Sequence, residues 1–194
     1  MMADNRQLSA TVFVKYTEYG SITGHAAMLI GAINSGDLHN YIDNQVDFNP
    51  RRPIQQGSLQ QRIRQQKFWE DAFFSDEETF QEFQETYHVY YRLYGLDVNA
   101  MLSARRAINH TNVHYNFLIK NCATIIARIL KAGGVERLLS PFNRIFYGHN
   151  LYWTPKDIAQ LCDKLKNVNM ATKHKYENCP KKRNNIRSVL AGFR

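Results

Sequence analysis

The sequence predicts an α+β fold in which a small antiparallel sheet packs on a helix that begins at a cysteine. Two β-prone stretches near the N-terminus, Thr11 to Tyr16 and Ser21 to Gly31, predict the sheet. Apolar residues at helical spacing between Cys122 and Leu130 predict a buried helix, which Gly133 or Gly134 can close. A chain of 194 residues can bury one core, so we expect a single domain over residues 1–168.

The positive charge of the chain is concentrated at its C-terminal end. The net charge is +8, and residues 164–194 hold nine lysine and arginine residues against one glutamate. The rest of the chain is therefore balanced, and residues 169–194 are predicted to form a basic tail. Such a tail can contact an anionic membrane, nucleic acid or an acidic partner, or remain a solvated end. The body has no groove pattern of alternating aromatic and basic residues, so we expect no nucleic-acid partner.

Targeting signals and metal motifs are missing from the sequence. No apolar run approaches the length of a membrane span, and the first residues lack the pattern of a secretory signal. We therefore expect synthesis in the cytoplasm without a signal peptide. Cys122, Cys162 and Cys179 make an odd count without a CxxC pair. This pattern favours free thiols over a disulfide framework and predicts no metal site.

The N-terminal part is predicted to contain a hairpin. A turn signal, Asn34-Ser35-Gly36, follows the second predicted strand. Residues Leu38 to Asp43 then alternate in polarity and predict the returning strand, with His39 and Asp43 on one face. The hairpin would therefore bring His39 and Asp43 close to the strand that contains His25.

The middle of the chain, residues 57–110, is predicted to be a helical insertion. The first helix is expected over Ser58 to Phe74, and a capping box at Ser75 predicts a second helix that runs to Tyr94. Asp97 is predicted to cap a third helix that ends near Ile108. His88 would lie within the second helix as a packed side chain.

The segment after the cysteine helix is predicted to be irregular before a last helix forms. The irregular segment is expected over Pro141 to Trp153, and Trp153 is expected to be a core residue or part of a cleft wall. Thr154-Pro155-Lys156-Asp157 then combines a cap, a proline in the first turn and an acid at the third position. The last helix is predicted to end near Lys166.

Cys122 is the candidate nucleophile. Asn121 can cap the helix, which places Cys122 in the first turn, where the helix dipole favours the reactive thiolate. A thiol nucleophile needs an imidazole to share its proton, and His25 is the candidate base. His39 is the expected orienter of His25, and Asp43 is the alternative third residue, with Asp37 as a further rival. Without these roles, Cys122 is simply a small packed residue.

Two stretches carry a resemblance to a known family. Gly24-His25-Ala26-Ala27-Met28-Leu29-Ile30-Gly31 and Asn121-Cys122 resemble the histidine strand and the cysteine helix of the circularly permuted NlpC/P60, papain-like superfamily. That superfamily includes lecithin–retinol acyltransferase-like enzymes and bacterial effector hydrolases, and the order of histidine before cysteine is the permuted order. Tyr115 fits the strand before the cysteine. Two departures are Ala26, where the family often has an aromatic residue, and the long segment between His39 and Cys122.

The resemblance implies a permuted papain-like cysteine hydrolase that cleaves an amide bond through a Cys122 acyl-enzyme, such as a peptidoglycan endopeptidase or an effector protease. An acyltransferase that modifies a protein or lipid near a membrane and a non-catalytic binding module are the alternatives. Asn121, Tyr115 and Trp153 would line the cleft, and no cofactor is required. The implied partners are a peptide, peptidoglycan or acyl-bearing substrate and an immunity or chaperone protein, with export by a dedicated bacterial secretion machine.

Overall fold

The computed structural model describes residues 6–16, 24–32, 45–47, 87–110, 121–150 and 152–180. These residues form five strands: β1 Leu8–Lys15, β2 His25–Ile30, β3 Gln45–Asp47, β4 Val89–Tyr94 and β5 Ala171–Lys175. They also form four α-helices: α1 Val98–His110, α2 Cys122–Ala132, α3 Pro141–Gly148 and α4 Pro155–Asn167. A short 3₁₀ turn, Val135–Leu138, joins α2 to α3. The α+β class predicted from the sequence is confirmed.

The five strands form one antiparallel sheet in the order β3-β2-β1-β4-β5. The central strand β1 is buried along most of its length, because both of its neighbours and both sheet faces are occupied. Its last residue, Lys15, lies opposite His25, the first residue of β2. One end of the sheet therefore contains the start of β2 together with the end of β1.

The two faces of the sheet carry different cores because side chains alternate along each strand. The larger core includes Val12, Val14 and Met28 from the sheet and the apolar side of α2 and α4. The smaller core, on the other face, is made of the following residues: Phe13, Ala27, Leu29, Tyr87 and the partly buried Tyr90. Helix α2 thus packs on one face only.

The elements with local sequence signals lie where they were predicted. Strand β1 overlaps the first β-prone stretch but begins earlier, at Leu8, and β2 lies within the second. Helix α1 begins where Asp97 accepts a hydrogen bond from the Ala100 N–H at 2.9 Å. Helix α4 begins with the complete capping box: the Thr154 hydroxyl accepts from the Asp157 N–H, and the Asp157 carboxylate accepts from the Thr154 N–H. Short-range hydrogen bonding therefore fixed these boundaries.

Three predicted segments are wrong. Residues Val89–Tyr94 form strand β4 between β1 and β5, not the end of a helix, so the predicted helical insertion over 57–110 is interrupted by sheet. Residues Ala171–Lys175 form strand β5, so the domain does not end at residue 168. Residues Pro141–Gly148 form helix α3 instead of an irregular segment, with the Ser140 hydroxyl accepting from the first turn.

The predicted returning strand over 38–43 lies outside the described residues, as do the predicted helices before residue 87. The strand that pairs with the outer side of β2 in the structure is β3, Gln45–Asp47. A pairing partner for β2 was expected, and the observed partner lies slightly later in the chain.

A polar contact ties the edge strand β5 to the rest of the domain. Asp163 on α4 accepts hydrogen bonds from the Lys173 ammonium at 2.7 and 2.9 Å and from the Tyr91 hydroxyl at 3.1 Å. The Lys173 ammonium also lies 5.0 Å from the centre of the Tyr91 ring. Burial, with the negative charge of Asp163 contributing, raises the pKa of Tyr91, so this hydroxyl remains a neutral donor.

Among the helices that the structure describes, none combines the length and the apolar character needed to cross a bilayer.

Candidate active site at the start of helix α2

The start of α2 is capped by the side chain of Asn121. The Asn121 side-chain oxygen accepts hydrogen bonds from the Thr124 N–H at 2.8 Å and from the Thr124 hydroxyl at 3.0 Å. The Ile125 N–H donates to the Asn121 carbonyl at 3.2 Å. Asn121 is therefore the N-cap, as predicted, and Cys122 is the first residue of the helix.

The other side of the Asn121 amide ties the helix start to Trp153. The Asn121 side-chain nitrogen donates to the Trp153 carbonyl at 2.9 Å. The Trp153 indole N–H in turn donates to the Asn150 carbonyl at 2.9 Å, and the Trp153 ring is buried. Of the two roles predicted for Trp153, core residue and cleft wall, the structure shows the first, and Asn121 is occupied by capping.

Cys122 itself is buried at the tip of the helix, with 5% of its surface exposed. In a helix the first N–H groups have no partner within the helix, and here Asn121 satisfies that of Thr124. Within the described residues, the N–H groups of Cys122 and Ala123 have no hydrogen-bond acceptor. Cys122 thus lies in the first turn of α2, at the positive end of the helix dipole.

The direction of α2 places Cys122 toward the end of the sheet where β2 begins. At the opposite, C-terminal end of the helix, the Gly133 carbonyl accepts from the Asp97 N–H at 3.0 Å. That region adjoins the start of β1, because the Leu96 N–H donates to the Ser9 hydroxyl at 3.1 Å and the Gly31 N–H to the Ser9 carbonyl. A helix of 11 residues is about 16 Å long, close to the length of β2. Cys122 therefore lies toward the His25 end.

His25 occupies the first position of β2 and is half-buried. Strand alternation puts its side chain on the face of Ala27 and Leu29, and its ring centre is 6.1 Å from that of Tyr87, which belongs to the same small core. Helix α2 packs on the other face. The structure therefore places Cys122 and His25 toward the same end of the sheet, with the His25 ring on the face opposite to α2.

A second histidine, His88, lies at the same end of the sheet beside Tyr16, which belongs to the larger core. It is buried, and its ring stacks on that of Tyr16 with a centroid distance of 6.0 Å. Its Nδ1 accepts from the Tyr16 N–H at 2.9 Å. A neutral imidazole has one unprotonated nitrogen, and here that nitrogen already accepts a backbone hydrogen bond. This arrangement gives His88 a structural role, and it is packed as predicted, although not in a helix.

The two other cysteines differ from Cys122 in position. No disulfide joins any of the three cysteines, all of which lie in described segments, and this confirms the expectation of free thiols. Cys162 is completely buried in α4, and burial, reinforced by the charge of Asp163, raises the pKa of its thiol. Cys162 is therefore held as a neutral, inaccessible thiol. Cys179 is partly exposed and lies after β5.

Several predicted site residues lie outside the described residues. These are His39, Asp43, Asp37 and Tyr115. Their roles as orienters of His25 or as cleft residues remain predictions. In the described segments, no three side chains of histidine, cysteine, aspartate or glutamate converge in a way that would hold a metal ion.

The fold and site together describe an α+β domain with a cysteine at a capped helix start. The family described as the IcsB middle domain matches residues 54–185, which is more than half of the chain, and the chain belongs to this family. The matched range contains Cys122, Asn121 and Trp153 and begins after His25. The matched range therefore includes the helix that begins at Cys122 but not His25, the candidate base.

The chain is also similar to parts of two much larger toxins. It is 39% identical over 67 residues to a multifunctional-autoprocessing repeats-in-toxin protein of Vibrio vulnificus, and 40% identical over 65 residues to one of Vibrio cholerae serotype O1. These matches cover 34% and 33% of this chain, and the chain spans 1% of the length of each toxin. The relatives are therefore bacterial toxin and effector-like proteins.

Proposed function

We propose that this domain is a cysteine hydrolase of permuted papain-like type that cleaves an amide bond through an acyl-enzyme on Cys122. One observation carries the proposal: Cys122 is the first residue of a capped, buried helix that begins toward the end of the sheet where His25 begins β2. A cysteine nucleophile uses a helix N-terminus to favour the thiolate and needs an imidazole within hydrogen-bond reach to share its proton. The proposal therefore requires the His25 ring to turn from the face of Tyr87 toward Cys122.

The proposed reaction has two halves. The Cys122 thiol gives its proton to His25, and the sulfur attacks the carbonyl carbon of the substrate. The oxyanion that forms accepts hydrogen bonds from the N–H groups of Cys122 and Ala123. The intermediate then expels the amine, which takes the proton from His25, and a thioester remains on Cys122. Water, deprotonated by His25, attacks the thioester and releases the acid and the thiol.

A third residue is expected to orient the His25 ring. His39 is our first choice, because the predicted hairpin would bring it beside His25. Asp43 is the alternative, because a carboxylate also stabilises the imidazolium. Either residue would act by holding the ring and its tautomer and would make no contact with the carbonyl under attack.

The comparisons support a role as an effector or toxin domain. The chain belongs to the IcsB middle-domain family, and its relatives in Vibrio are named as toxins. We therefore propose that the domain is exported by a dedicated bacterial secretion system and acts on a peptide, peptidoglycan or acyl-bearing substrate. An immunity or chaperone protein would accompany it in the producing cell.

Acyl transfer is the second candidate function. In that reaction an amine or hydroxyl acceptor replaces water in the second half, while Cys122 and His25 keep the same roles. It is favoured by the exposed apolar side chains Phe142, Ile145 and Phe146 on helix α3, since Tyr147 of that helix packs on Trp153 beside the start of α2. The remaining alternative is a non-catalytic binding module, in which Cys122 would be a packed residue with an unreactive thiol.

The role of His25 is tested by comparing two histidine variants with p-nitrophenyl acetate, a generic acyl ester, as substrate. His25→Ala should lower turnover by about 10²- to 10⁴-fold, the usual contribution of a general base. His88→Asn is the matched control, because the asparagine side chain can still accept from the Tyr16 N–H. It should keep turnover within about threefold of the unaltered protein. Full activity of His25→Ala with normal folding would remove His25 from the mechanism.

A further inference from the structure

The outer side of helix α3 carries three large apolar side chains that remain in contact with solvent. Phe142, Ile145 and Phe146 are 79%, 65% and 59% exposed. Their spacing of three and four residues places them on one side of the helix, and we call this trio the α3 apolar patch. Single exposed apolar residues are ordinary on protein surfaces, but three adjacent ones in a helix of eight residues mark an interaction surface.

The other side of α3 is held firmly by the domain. Tyr147 is buried and its ring stacks on that of Trp153, with centroids 5.9 Å apart and planes 26° apart. The Lys131 ammonium, from α2, donates to the Gly148 carbonyl at 2.9 Å. The α3 apolar patch is therefore preformed, and binding would not have to order the helix.

The charges around the patch have one dominant sign. Arg144 lies between Phe142 and Ile145 in α3, Arg137 lies in the turn before it, and both are exposed. The nearby Glu136 pairs with Lys131 at 3.6 Å. A second copy of the chain that docked through the same surface would present Arg137 and Arg144 again, and therefore like charge, whereas an anionic lipid surface presents the complementary charge.

We propose that the α3 apolar patch docks on an anionic membrane. Phe142, Ile145 and Phe146 enter the boundary between head groups and acyl chains, while Arg137 and Arg144 remain at the level of the lipid phosphates. Because Tyr147 packs on Trp153, whose carbonyl accepts from Asn121, docking holds the start of α2 near the bilayer. The docking itself requires no chemistry at Cys122.

The test is co-sedimentation of the full chain with vesicles of phosphatidylserine and phosphatidylcholine. The triple variant Phe142→Gln, Ile145→Gln, Phe146→Gln should partition about a thousandfold more weakly, since each of the three large apolar side chains contributes about a factor of ten when buried. Val168→Gln is the matched control, because Val168 is an exposed apolar residue beyond α4. It should bind as the unaltered protein does.

Two further measurements locate the contact. Phe146→Trp should give a fluorophore that brominated acyl chains quench. Vesicles of phosphatidylcholine alone should bind more weakly than the mixed vesicles, with the difference shrinking at high salt. The Cys122→Ala variant should bind vesicles normally, so that failure of docking and failure of the proposed chemistry are distinguishable.

Three results would overturn the proposal. The triple variant could bind as tightly as the unaltered protein, which would leave only the charge of the C-terminal residues to explain binding. Brominated lipids could fail to quench Phe146→Trp in the bound state. Sedimentation without lipid could show a dimer that the triple variant cannot form, which would make a second copy of the chain the occupant of the patch. Circular dichroism and thermal melting check that the variants are folded. Substitutions at these exposed positions should leave the fold intact.

Discussion

Replacement of Cys122 by alanine is expected to lower the turnover of p-nitrophenyl acetate by about a thousandfold or more, as removal of a covalent nucleophile does in other hydrolases. The protein should still fold. Alanine is the best helix-forming residue, Asn121 continues to cap the helix through Thr124, and only one sulfur atom is lost from a small buried site. We expect a change in unfolding free energy of about 1 kcal/mol.

The measurement combines initial rates with thermal melting of the same samples. Cys179→Ser is the matched control, because Cys179 is a partly exposed thiol outside the helix start, and it should retain full turnover. Normal turnover by Cys122→Ala would show that Cys122 is a packed residue without a catalytic role. Loss of turnover in Cys179→Ser without unfolding would identify a different thiol as the nucleophile.

The second large effect concerns the C-terminal boundary of the domain. Deleting residues 170–194 removes strand β5, the Lys173 contact with Asp163 and the hydrogen bond from the Tyr94 N–H to the Met170 carbonyl. It also exposes the edge of β4, which is otherwise covered by β5. We expect this protein to be unfolded or aggregated, since the loss of an edge strand removes several kcal/mol and leaves an open edge of sheet.

A shorter deletion provides the control. Removing residues 181–194 keeps every described strand and helix and takes away five basic side chains. Its melting temperature should stay within about 3 °C of the full chain, since surface changes alter stability by about 0.5 kcal/mol. If the protein that ends at residue 169 melts like the full chain, then β5 contributes nothing to stability and the basic segment is a tail after all.

The elements that the sequence predicts correctly depend on local interactions. The Asn121 cap and the Thr154 capping box use hydrogen bonds between residues three apart, so the pattern and the structure report the same interaction. The candidate nucleophile was found in this way, because Cys122 follows directly from the position of the cap.

The misread segments depend on distant partners. Tyr87, Tyr90, Tyr91 and Tyr94 have helical spacing, yet Val89, Tyr91 and Leu93 also alternate in the way that a strand requires. Pairing with β1 and β5 decides for the strand. Strand β5 is polar along most of its length because it lies at the sheet edge, and it therefore resembles a solvated tail in sequence.

Helix α3 was missed for a different reason. Ser140 and Pro141 are a normal helix start. The apolar residues Phe142, Ile145 and Phe146 point to solvent, so the side of the helix that packs on the core is not the side with these apolar residues. The environment of His88 could not be predicted either, because its contacts are with a residue distant in sequence. Its stacking on Tyr16 and its hydrogen bond to the Tyr16 N–H join residues 72 positions apart, and neither can be read from local sequence.

The most direct test of the central claim is the location of the covalent acyl group. The protein is mixed with excess p-nitrophenyl acetate, quenched in acid, and examined by intact mass spectrometry and peptide mapping. We predict one acetyl group per chain, on the peptide that contains Cys122. Cys162 should remain unmodified because it is fully buried and burial raises the pKa of its thiol. An acetyl group on Cys179 alone, or turnover without any thioester, would contradict the account.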